Sequence, residues 1–112
     1  MQEKIDRLFI EIQRSKHIER RTESRQPFVR PVQIHLPRGP AIPAFSKDLS
    51  SLGIGIVSNV AFLPGTMAVL EIHSTQGEPV SLRSEVRWCD AYGKGWFLVG
   101  WKFTGAGQLS AP

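Results

Sequence analysis

The 112-residue chain has one cysteine, Cys89, so it can close no disulfide within itself and offers no cysteine cluster to a metal. Long apolar runs are missing too. Trp96-Phe97-Leu98-Val99 is among the longest, far short of the ~20 residues a bilayer crossing requires. Residues 1–20 mix charges of both signs with apolar residues and lack the unbroken apolar stretch of a signal peptide. Together these absences predict a cytoplasmic protein with no membrane insertion. Catalytic constellations are equally scarce. His17, His35 and His73 fall on three separate segments without metal-like spacing and read as surface residues. Cys89 has no histidine nearby, and no Gly-x-x-x-x-Gly-Lys phosphate loop occurs. The expectation is a non-enzyme with no catalytic residue, metal or cofactor.

What the chain does have suits one compact domain. Hydrophobic residues make up 41% and charged residues 21%, enough apolar material for a single core. The net charge of +4 is concentrated: residues 14–30 hold Arg14, Lys16, Arg20, Arg21, Arg25 and Arg30 against Glu19 and Glu23, and the rest of the chain is neutral. A local basic cluster on a neutral body suits a confined anionic ligand. A binder of duplex DNA would spread its charge along a groove-sized face.

Residues 1–18 read as an amphipathic helix, with Ile5, Leu8, Phe9 and Ile12 at i, i+3, i+4 and i+7. Glu3 and Asp6 lie near its start and Arg14 and Lys16 near its end, as the helix dipole favours, and Glu3 is spaced to pair with Arg7. The apolar stripe must pack on the domain or on a second copy of the chain, which makes a homodimer one expected assembly. From Phe28 onward the period changes to two. Strands are predicted near 32–36, 41–47, 54–58, 67–73, 80–88 and 97–103, separated by turn signals such as Pro37-Arg38-Gly39-Pro40 and Tyr92-Gly93-Lys94-Gly95. Val80, Leu82, Ser84, Val86 and Trp88 share one face, as do Phe97, Val99, Trp101 and Phe103, so Trp88, Phe97 and Trp101 are expected in the core. The pattern predicts a mainly β fold, an antiparallel barrel or sandwich, with a frayed tail over 105–112.

Two short segments carry a more specific signal. Arg20-Arg21-Thr22-Glu23-Ser24-Arg25 contains Arg-x-x-x-Arg at positions 21 and 25, and Asp48-Leu49-Ser50-Ser51-Leu52-Gly53 contains Asp-x-Ser-x-x-Gly. One precedes the first predicted strand and the other follows the second. In that order, on a small β domain spanning roughly 19–103, the combination resembles the PilZ family of cyclic di-GMP receptors. The resemblance implies a six-stranded antiparallel β-barrel over 19–104 and an arginine-bearing linker over 19–27. It also implies a role in motility, exopolysaccharide production or biofilm control through a downstream protein partner.

The chemistry of that ligand suits these residues. Guanine's O6 and N7, like a phosphate, accept two parallel hydrogen bonds from one guanidinium, a role given to Arg21 and Arg25. Guanine's N1–H and N2–H₂ need acceptors, which Asp48 and Ser50 can supply. Gly53 is expected to permit a sharp turn or the close approach of a flat base, with Gly55 repeating the opening on the same strand face. Arg20 adds a third guanidinium. By the resemblance, a basic residue there suits two stacked ligands per chain. The polar linker is expected to be mobile when free and ordered by ligand. Two rivals remain: a PilZ-like protein-interaction module without nucleotide binding, and an RNA- or single-strand-binding barrel. The intact residues 21, 25, 48, 50 and 53 argue against the first. The second would need aromatics exposed on a basic strand face, whereas these aromatics follow the core alternation, so no DNA or RNA partner is expected.

Overall fold

The computed structural model describes residues 2–15 and 25–107. Helix α1 (Gln2–Ser15) turns Ile5 and Leu8 into the core, where both are completely buried. A helix of 14 residues is marginal alone in water. Burying two such side chains, about 1.5–3 kcal/mol each, is what holds it. The apolar stripe therefore docks on its own chain. Lys4 Nζ donates to the Ser81 carbonyl at 3.4 Å and Arg7 Nη2 to the Glu78 carbonyl at 2.6 Å. Arg7 thus does not pair with Glu3 as its spacing suggested. A solvent-exposed i,i+4 pair contributes only about 0.3–0.5 kcal/mol, and the carbonyl competes successfully. Gln2 makes the i,i+4 contact instead, donating to Asp6 Oδ1 at 2.8 Å.

Seven strands follow: β1 (Gln26–Pro27), β2 (Pro31–His35), β3 (Ile42–Leu49), β4 (Gly53–Ser58), β5 (Met67–Ile72), β6 (Val80–Ala91) and β7 (Phe97–Ala106). All pairings are antiparallel. The order β2-β5-β6-β7-β4-β3 closes on itself through β3 and β2, giving a six-stranded barrel, with β1 as an extra strand laid along β3. This is the predicted fold class. Ile34, Ile54, Ile56, Leu70, Ile72 and Leu82 are fully buried in the interior. Phe62 packs edge-on against the buried Trp101, with ring centroids 5.4 Å apart. The strand β7 runs past the expected end of the barrel, Gly105 pairing with Arg83 and Ala106 with Leu82. Gly107 N then donates to the Ser81 carbonyl at 2.9 Å.

Two bulges reshape the outer face. On β3 the register passes from Ser46↔Ile56 to Asp48↔Gly55, leaving Lys47 as an extra residue. On β6 it passes from Val86↔Trp101 to Trp88↔Gly100, leaving Arg87 as an extra residue. One inserted residue exchanges the two faces of everything beyond it. Val86 faces the core, Trp88 is turned outward and is 39% exposed, and Cys89 takes the inward position. Trp88 is therefore not the core residue that strict alternation made it. Trp101 is in the core, and Phe97 packs against it half-buried.

Candidate ligand-binding site

Four strands contribute one residue each to a row across the outside of the barrel. Asp48 on β3 is the register partner of Gly55 on β4, Gly55 of Gly100 on β7, and Gly100 of Trp88 on β6. Two adjacent buried glycines leave room for the Asp48 carboxylate to lie over one and the Trp88 indole over the other. These side chains form an acidic wall and an indole wall. A Cβ at Gly55 would lie 2.7 Å from Asp48 Oδ1, and one at Gly100 would overlap the Trp88 ring. Neither glycine has a positive φ, so space rather than backbone conformation requires them.

The arginine segment reaches this row because backbone hydrogen bonds stitch it to β3. Gln26 and Pro27 pair with Leu49 and Asp48, and Phe28 N donates to the Lys47 carbonyl at 3.0 Å. The fully buried Ser46 hydroxyl donates to the Phe28 carbonyl at 2.5 Å and accepts from Arg30 N at 2.9 Å. Arg25 is thereby set over the acidic wall, where its Nη1 donates to Asp48 Oδ1 at 2.8 Å. Lys47 Nζ stands 3.8 Å from Asp48 Oδ2. The side chains of Arg25 and Asp48 keep 44% and 21% of their exposure, so the pair is open to a ligand. The structure thus brings together one member of each motif, 23 residues apart in the chain.

The other expected site residues are placed differently. Ser50 is buried and its hydroxyl is engaged in its own turn: it accepts from Leu52 N and Gly53 N at 3.3 and 3.2 Å and faces the Gly53 carbonyl at 3.3 Å. Gly53 ends the tight turn between β3 and β4, closed by Ser50 N donating to the Gly53 carbonyl at 2.9 Å, and its φ is not positive. The space above its Cα is filled by the Trp101 carbonyl of β7, which a Cβ would overlap. Arg20 and Arg21 lie outside the described residues.

Sequence reasoning missed Trp88 and Gly100. For Gly100 a signal was available, since an isolated glycine inside an apolar strand marks a close approach. For Trp88 none was, because the bulge that turns it outward depends on the register with β7.

A small closed barrel with a glycine-backed platform on its outer wall defines the class. The chain matches the PilZ domain family over residues 19–109, and it belongs to that family, whose members are generally cyclic di-GMP-binding adaptors and typically not enzymes. No curated protein matches the chain. No helix among the described residues is long and apolar enough to cross a membrane.

Proposed function

We propose that the protein is a cytoplasmic cyclic di-GMP receptor that binds the dinucleotide on the Asp48–Gly55–Gly100–Trp88 row and performs no catalysis. The observation that carries this reading is the 2.8 Å contact between Arg25 and Asp48 at the edge of the two-glycine row. A guanine stacked on the exposed face of the Trp88 indole presents its N1–H and N2–H₂ edge to Asp48 across the glycine row. Arg21 and Arg25 grip a phosphate or the O6/N7 edge. Ser50 and Gly53 act by shaping the turn that follows Asp48. The arginine segment ahead of β1 closes over the ligand, and because it lies between α1 and β1, closure changes the pose of the helix that a downstream partner reads. Cleavage by trypsin at Arg20, Arg21 and Arg25 is expected to slow when cyclic di-GMP is added; equal rates would remove the closure step.

Asp48→Ala is expected to weaken cyclic di-GMP binding by about ten- to hundredfold and to narrow the preference for guanine over adenine, since it removes a charged acceptor worth roughly 1.5–3 kcal/mol. Competition titrations with cyclic di-GMP and cyclic di-AMP check this. Unchanged affinity and unchanged base preference would exclude Asp48 from the site. Stoichiometry supplies a separate check. Arg20 favours two stacked ligands per chain, falling toward one in Arg20→Leu while binding survives; saturation of the unmutated protein at a single ligand would contradict it.

One observation favours a second reading. Phe45, Trp88, Tyr92 and Trp96 are all exposed, with Phe45 and Trp96 ring centroids 6.1 Å apart, so the aromatics do not all follow the core alternation. Exposed aromatics are what single-stranded nucleic acid stacks on. A single-strand binder shows a steep fall of affinity with salt, set by the number of phosphates it neutralises, and oligonucleotide titrations across salt concentrations separate the two.

A further inference from the structure

Both walls of the glycine row contain a bulge, and in both the extra residue is basic. Lys47 precedes Asp48 on β3, and Arg87 precedes Trp88 on β6. In a regular strand, one residue of each successive pair would point into the barrel, where an unpaired charge is costly to bury. The bulges instead keep both members outside: Lys47, Arg87 and Trp88 are exposed and Asp48 half-buried, while the preceding Ser46 and Val86 are buried. Bulges next to binding sites commonly serve to re-aim a side chain in this way.

We infer that Lys47 and Arg87 are barrel-side cations that hold the phosphates of the bound dinucleotide, one from each wall. This inference rests on the reading of the site proposed above. Without these two residues the platform offers a carboxylate, two glycines and an indole, and the carboxylate alone would repel a phosphodiester. The other cations of the proposed site, Arg21 and Arg25, come from ahead of the barrel, and Arg25 is shared with the Asp48 carboxylate at 2.8 Å. Lys47 is held only loosely, at 3.8 Å from Asp48, and Arg87 makes no hydrogen bond or ion pair among the described residues. Both are therefore available at little cost in broken contacts. The neighbouring charges do not substitute for them. Lys102 and Glu85 face each other as register partners in the adjacent row, and Asp90 lies beyond Trp88, paired with Leu98. A ligand with two phosphodiesters and flat bases matches a row bounded on both sides by a long cationic side chain.

The test is calorimetric titration of the full chain with cyclic di-GMP at low and high salt, using Lys47→Gln, Arg87→Gln, the double variant and Lys94→Gln. Lys94 lies in the 92–96 turn away from the row and controls for loss of overall charge. Each bulge variant is expected to bind about tenfold more weakly, the double variant more weakly still and with a shallower salt dependence, while Lys94→Gln binds as the unmutated protein does. Thermal melting should be unchanged in all four, because the substituted side chains are exposed. Unmutated affinity in the bulge variants, or an equal loss in Lys94→Gln, would overturn the inference while leaving the site intact. Failure of the unmutated protein to bind would overturn the site itself, and with it this inference.

Discussion

Replacing both Arg21 and Arg25 with alanine is expected to lower affinity for cyclic di-GMP by at least a hundredfold while leaving the melting temperature nearly unchanged. Each guanidinium supplies charge-assisted hydrogen bonds worth roughly 1.5–3 kcal/mol, or about ten- to hundredfold per residue. In the proposed site the two would grip the same ligand, so their effects need not add in full. Stability is spared because the Arg25–Asp48 pair is at the surface, where such pairs contribute about 0–1 kcal/mol. In Arg25→Ala the carboxylate of Asp48 keeps Lys47 near its other oxygen, so the acidic wall is not left without a counter-charge. Affinity unchanged in the double variant would end the account of this site.

The second large effect separates fold from site among the glycines. Gly53→Val is expected to prevent the barrel from closing properly, because its Cβ would overlap the backbone carbonyl of Trp101, which cannot move without parting β4 from β7. Overpacking of this kind costs about 3 kcal/mol or more, a fall in Tm on the order of 12–24 °C for a domain of this size. Gly55→Ala and Gly100→Ala meet instead the ends of side chains, the Asp48 carboxylate and the Trp88 ring. Those can swing away, so both variants should fold and melt within a few degrees of the unmutated protein, yet bind cyclic di-GMP at least tenfold more weakly. Thermal melts followed by titration distinguish the two groups. A Gly53→Val protein with unmutated Tm would show that β7 does not press on β4 as described.

These glycines also mark where the sequence stops being legible. The helix stripe of Ile5 and Leu8 and the alternation of Val80, Leu82 and Val86 are local patterns. They gave an amphipathic helix and six strands of a barrel or sandwich, and the family resemblance implied the barrel. The structure shows the helix docked on its own chain and the barrel closed. Asp48 and Arg25 were found because residue type and order are visible in a chain. Register is not. The bulges at Lys47 and Arg87 exist only in relation to β4 and β7, and with them goes the outward turn of Trp88. The extra strand β1 has no side-chain signature either. It forms because Ser46, Lys47 and Leu49 offer backbone and hydroxyl partners to a polar segment that reads as a linker. Gly53 does stand at the expected turn, but what presses on it could not be read from the chain. Its residue type follows from the carbonyl pressed against it, not from a positive φ.

Isothermal titration of the unmutated protein with cyclic di-GMP, GTP and cyclic di-AMP tests the central claim most directly. In the proposed site, Asp48 would read guanine, and only the joined dinucleotide would engage both walls. Saturable binding of cyclic di-GMP is therefore expected, with GTP and cyclic di-AMP about a hundredfold weaker or undetectable. No binding of cyclic di-GMP, or equal binding of all three nucleotides, would contradict it.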